Sequence, residues 1–137
     1  MIKKMSHVTI WVSDAEEAKK FYTETLGCEV RRDEMVGEQF RWLTVGFKSQ
    51  PDLEMVLLEP KAGMLLDEES AAQLRSLVEK GVLGAGVFGT NDCRGTYEEL
   101  KAKGVRFMGE PAERPYGIEA ILRDNSGNWF SMTQEKK

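Results

Sequence analysis

His7-Val8-Thr9-Ile10-Trp11-Val12-Ser13-Asp14 decides how the rest of the chain is read. β-Branched and aromatic side chains dominate 8–12, as a strand requires. Ser13-Asp14 halts that strand, and Asp14 with Glu17 three residues on forms a helix N-cap with a capping-box acid. Ala15, Ala18, Phe21, Tyr22 and Leu26 then recur at helical spacing and give one apolar stripe. Gly27 stops the helix. Strand-like runs follow over 28–32, 40–47 and 53–58, separated by Gly37 and by Gln50-Pro51-Asp52. The order is strand, helix, three strands.

The second half repeats it. A strand is expected over 85–90 and a helix capped by Asp92, with Tyr97, Leu100 and Ala102 on its apolar face and Gly104 at its end. Three strands follow over 105–108, 118–122 and 128–133, separated by Pro111, the loop Arg114-Pro115-Tyr116-Gly117 and the turn Asp124-Asn125-Ser126-Gly127. Between the halves, Asp67 caps a helix whose Ala71, Ala72, Leu74, Leu77 and Val78 need somewhere to pack before Lys80-Gly81 ends it. The pattern predicts a single α+β domain of two βαβββ modules, about 1–60 and 82–137, joined by a helical connector over about 61–81.

Composition narrows the function. A chain of 137 residues buries roughly 68% of its unfolded surface, enough for a core without disulfide or metal staples. The 19 Lys and Arg against 23 Asp and Glu give a net charge of −4, with the signs interspersed, which argues against nucleic-acid binding. Met1-Ile2-Lys3-Lys4 is followed by no apolar run, and no membrane span is visible, so a cytoplasmic protein is expected. Cys28 and Cys93 are far apart and read as free, packed thiols. His7 is the one histidine. Iron facial triads, His-rich zinc sites and H-E-x-x-H proteases all need more imidazoles. Gly84-Ala85-Gly86-Val87-Phe88-Gly89 spells G-x-G-x-x-G, but a helix precedes it and Val87-Phe88 are extended. A pyrophosphate would therefore meet no free helix N-terminus, and nucleotide binding is rejected.

The His7–Asp14 stretch, Phe21-Tyr22, Leu26-Gly27, the duplicated βαβββ order and the closing Asp124-Asn125-Ser126-Gly127-Asn128 together resemble the vicinal oxygen chelate superfamily. That family includes glyoxalase I, bleomycin-resistance proteins and extradiol dioxygenases. The resemblance covers nearly the whole chain. It implies that the paired modules form a cup-shaped mixed sheet with helices outside, that the cup encloses a pocket, and that the chain forms a homodimer.

The resemblance also implies where a metal would sit: one ligand from the first and one from the last strand of each module. His7 and Glu54 match the first pair. The second pair departs from the pattern, with Ala85 at the histidine position and Ser131 at the glutamate position. Alanine donates nothing and a serine hydroxyl is a poor ligand. Glu119 is a substitute donor that nothing in the spacing requires. Two protein ligands hold a divalent ion only weakly, and a pocket shared between two copies would still receive one His7. The expected function is thus binding of a small aromatic or cationic molecule without a cofactor. The alternative is a metal-dependent, glyoxalase-like lyase or isomerase using His7 and Glu54; an extradiol dioxygenase is disfavoured. By the resemblance, Glu54 and Ser131 mark the inward face, which Asp52, Val56, Trp129 and Thr133 would share by alternation. Trp129 is the candidate for stacking on a flat ligand, with Trp42 and Ser131 as further contacts. Arg114 and Tyr116 are candidates to hold an anionic or carbonyl group. Without a metal, Glu54 is expected to pair with a cation such as Arg41.

Overall fold

The computed structural model describes residues 1–63 and 65–136. The first module forms a four-stranded sheet in the order β1-β4-β3-β2, built from β1 (His7–Trp11), β2 (Glu29–Val36), β3 (Phe40–Gly46) and β4 (Glu54–Leu58). The second forms a separate sheet in the order β5-β9-β8-β6, from β5 (Gly84–Gly89), β6 (Arg106–Phe107), β8 (Gly117–Arg123) and β9 (Trp129–Glu135), with β7 (Ala112–Arg114) paired to β8. In each sheet the first strand runs parallel to the last and the other pairs are antiparallel. The expected α+β order of paired βαβββ modules stands, as two mixed sheets.

The three expected caps are in place. Asp14 accepts from the backbone N–H of Glu17, Asp67 from Ser70 and Asp92 from Gly95, satisfying amides that the first helical turn leaves open. They start α1 (Ala15–Lys20), α2 (Glu68–Lys80) and α3 (Cys93–Ala102). Gly81 ends α2 at φ 70°, a left-handed conformation that glycine adopts without strain. One segment differs from the apolar spacing: α1 widens into a π-helical turn over Phe21–Thr25. The Thr23 hydroxyl donates to the carbonyl of Lys19 at 2.7 Å, competing with the backbone for that acceptor, and the Leu26 N–H reaches back five residues to Phe21.

Strand alternation sorts the side chains. Ile10, Leu43, Val45, Met55 and Leu57 of the first sheet, and Ala120, Leu122, Phe130 and Met132 of the second, turn toward the helices and belong to one continuous core with Ala18, Tyr22, Tyr97 and Leu100. His7, Thr9 and Trp11, and Trp42 and Thr44, take the other face of the first sheet; Glu119 and Ile121, and Trp129, Ser131 and Thr133, take that of the second. Polar contacts lock the modules together. The Tyr22 hydroxyl donates to Asp124 Oδ2 at 2.7 Å, and Asn128 Nδ2 donates to the carbonyl of Trp11 at 2.7 Å.

Candidate functional site

On the first sheet, β1 and β4 pair so that His7 stands directly opposite Glu54. His7 Nε2 lies 3.6 Å from Glu54 Oε1, and its Nδ1 lies 2.8 Å from Ser6 Oγ. Thr44, one strand over, donates its hydroxyl to the same Glu54 oxygen at 2.7 Å. Arg41 is not the partner of Glu54. It alternates to the other face of β3 and pairs with Asp33 and Glu16. The Arg41 and Lys19 hydrogen bonds hold the Asp33 carboxyl well below the usual carboxylate range. Trp42 stands beside His7, ring centroids 5.9 Å apart, and Phe40 follows 6.3 Å beyond Trp42. At the far end of this face, Trp11, Val36, Phe40 and Leu58 line a hollow of about 430 Å³ that Leu65 and Leu66 of the connector also border.

On the second sheet Glu119 is the hub. Ser131 Oγ donates to its Oε2, Tyr116 donates to its Oε1 at 2.8 Å, and Arg114 Nε lies 3.6 Å from Oε1. The Ser131 and Tyr116 hydrogen bonds push the Glu119 pKa below its ordinary value, against a smaller opposing effect of burial. Thr133 Oγ1 extends the chain 2.9 Å from Ser131. This network floors an open cavity of about 1260 Å³ whose wall includes Trp129, Val87 and Gly89. The segment expected as a loop is a tight hairpin, in which β7 turns at Pro115-Tyr116 and Arg114 pairs with Gly117. It aims Tyr116 and Arg114 at an acid, and Arg114 borders a neighbouring hollow of about 490 Å³ instead.

The predicted residues thus fall into two groups on different sheets: His7, Glu54 and Trp42 on one, Ser131, Glu119, Tyr116, Arg114 and Trp129 on the other. Asp52 belongs to neither, since it lies in the turn before β4, 3.9 Å from Lys4. The register sets Val87 opposite Ser131, while Ala85 sits at an irregularity in the β5–β9 pairing. Neither offers a metal donor. Among the described residues no three His, Cys, Asp or Glu side chains gather where they could hold an ion. The donors that do meet, His7 and Glu54, are one short of the three protein ligands usual for a catalytic divalent ion, so the residues of one chain do not fit that group. Thr44 escaped the sequence reading, although it shares the parity of Trp42; Trp11 and Phe40 were legible only as strand aromatics.

The family model for the Glyoxalase/Bleomycin resistance protein/Dioxygenase superfamily matches residues 4–132. The chain belongs to that superfamily. Within it, the chain is similar to the uncharacterized protein YetH of Bacillus subtilis, 32% identical over 134 residues that cover 98% of this chain and all of the relative. Among solved structures of the superfamily fold, UcmS2 is 51% identical with a TM-score of 0.89, covering 97% of this chain and 98% of its own. TnmS3 of Streptomyces sp. CB03234, described as an antibiotic binding protein, is 27% identical with a TM-score of 0.76 and 98% coverage of both chains. No helix among the described residues is long and apolar enough to cross a membrane.

Proposed function

We propose that this superfamily member binds a flat aromatic small molecule over its second sheet, without a metal cofactor, as a cytoplasmic homodimer. The reading is carried by one observation: a half-exposed indole, Trp129, shares an open cavity with the Tyr116–Glu119–Ser131–Thr133 network. An aromatic face and a fixed set of polar groups are what a pocket for a planar ligand combines. Glu119 is anionic at neutral pH, its pKa being lowered, and so suits a cationic or hydrogen-bond-donating group on the ligand. The antibiotic binding described for TnmS3 supports the same class of function.

The lyase or isomerase reading draws on the 3.6 Å approach of His7 to Glu54. Metal analysis of the purified, untagged protein separates the two. Stoichiometric metal that disappears in His7→Ala or Glu54→Ala sinks the metal-free reading. Metal-free protein whose tryptophan fluorescence is quenched by planar aromatic compounds, with the quenching lost in Trp129→Phe, upholds it.

A further inference from the structure

Two of the three glycines of the Gly84–Gly89 stretch are not required by the backbone. Gly84 and Gly89 have no positive φ, unlike nine other glycines of the chain. Both sit in β5, where a side chain is ordinarily favoured. Their surroundings differ sharply. A β-carbon on Gly84 would stand 2.5 Å from Cζ2, 2.8 Å from Cε2 and 3.0 Å from Cη2 of Trp129, so the indole lies directly against the glycine. The two residues are register partners, and the Trp129 N–H is tied to the carbonyl of Leu83 at 3.0 Å. A β-carbon on Gly89 would meet nothing within 4 Å. Gly89 faces the same cavity that Trp129 lines.

The first module shows what could have stood there. Trp11 pairs with Leu58 at the end of β1 as Gly89 pairs with Thr133 at the end of β5. In both modules the next residue donates its N–H to that same partner's carbonyl, Val12 to Leu58 and Thr90 to Thr133. The helix cap, Asp14 or Asp92, follows three residues after Trp11 or Gly89 in each case. An indole occupies this place in one module and nothing in the other.

We infer that Gly84 is a positioning residue that seats the Trp129 indole against one end of β5, and that Gly89, opposite Thr133 at the other end of the strand, keeps the wall of the same cavity open. Together they shape the second sheet, and not the first, for a planar ligand. The inference rests on the binding reading above only for Trp129 as a ligand contact. Since the Gly84 backbone is ordinary, Gly84→Ala displaces the side chain that obstructs it, Trp129, and leaves the fold intact.

Two measurements test this. In nitrogen–proton spectra, with the indole signals assigned by Trp129→Phe, Gly84→Ala moves the Trp129 indole N–H resonance while the thermal unfolding transition stays cooperative. In fluorescence titrations with proflavine, a planar tricyclic cation, Gly84→Ala weakens binding about tenfold, the upper end for one aromatic stack. Gly89→Leu abolishes binding, and Gly84→Ala adds nothing in a Trp129→Phe background. An unmoved indole resonance, or an effect of Gly84→Ala that persists undiminished without Trp129, overturns the role of Gly84. Proflavine binding unchanged in Gly89→Leu overturns that of Gly89. If the wild-type protein binds no planar aromatic probe, the binding reading fails. The indole resonance then decides Gly84 alone, and the ligand-shaping role falls with the reading.

Discussion

Tyr22, fully buried in the first module, donates its hydroxyl to Asp124 of the second at 2.7 Å. Asp124 is itself 1% exposed and also accepts from the backbone N–H of Ser126 and from both nitrogens of Asn128. Four neutral hydrogen-bond donors thus satisfy the carboxylate.

Tyr22→Phe removes one of those donors without changing the packed volume. The expected cost is about 1–3 kcal/mol, the range for a buried polar group that loses a partner. Chemical denaturation reads it directly. A variant as stable as the wild type would mean that water replaces the phenol and that the bridge is not structural.

Burial, followed by the charge of Asp124, raises the Tyr22 pKa well above its ordinary value. A raised acid pKa favours the neutral group in the folded state. Its stabilising contribution is complete below the ordinary phenol pKa of about 10 and is lost as pH rises beyond it. Phenolate absorbance is expected to show Tyr22 ionising only as the fold melts, and Tyr22→Phe to flatten the alkaline decline in stability. An alkaline decline of the same slope in both proteins would contradict this.

Burial also pushes the Cys28 thiol up to about 12, and Cys93 is raised for the same reason. Both cysteines are free and buried. The native protein should therefore leave both thiols unreactive toward a disulfide reagent at mildly alkaline pH, and the unfolded protein should expose both. Rapid labelling of either thiol in the native state would show that the core opens locally.

Glu119→Ala removes the acceptor of the Ser131 and Tyr116 hydroxyls, but water reaches Tyr116 and Thr133 Oγ1 stands 2.9 Å from Ser131, so the expected cost at neutral pH is about 0.5–1.5 kcal/mol. The Glu119 pKa is depressed in the fold, so the carboxylate's contribution holds above the ordinary value of about 4.3 and disappears as pH falls through the folded one. The stability gap between wild type and variant should close in acid. A gap independent of pH would point to lost packing instead of lost charge.

The fold was legible because cap, stripe and stop coincide. Asp14, Asp67 and Asp92 each precede an apolar stripe, and Gly27, Gly81 and Gly104 each follow one. β7 was missed because Ala112-Glu113-Arg114 has no apolar alternation; it forms through pairing with β8. The site was half legible. His7 opposite Glu54 follows from the resemblance. The partners that decide their chemistry come from other strands: Thr44 onto Glu54, Glu119 onto Ser131. Such pairs depend on register, which a one-residue irregularity like that between Gly84 and Gly86 resets. Arg41 shows the cost of a parity error, since its alternation sends it to Asp33.

The single core has a consequence for the duplicated architecture. Tyr22 and Phe130, from different modules, pack edge to face at 6.4 Å, as do Phe47 and Phe88 at 5.6 Å. Cutting the chain at the connector would leave each half with a raw apolar face and, in one of them, Asp124 without its phenol. Neither half is expected to fold by itself, and denaturation of the whole is expected to run as one cooperative event. The internal repeat has become indivisible.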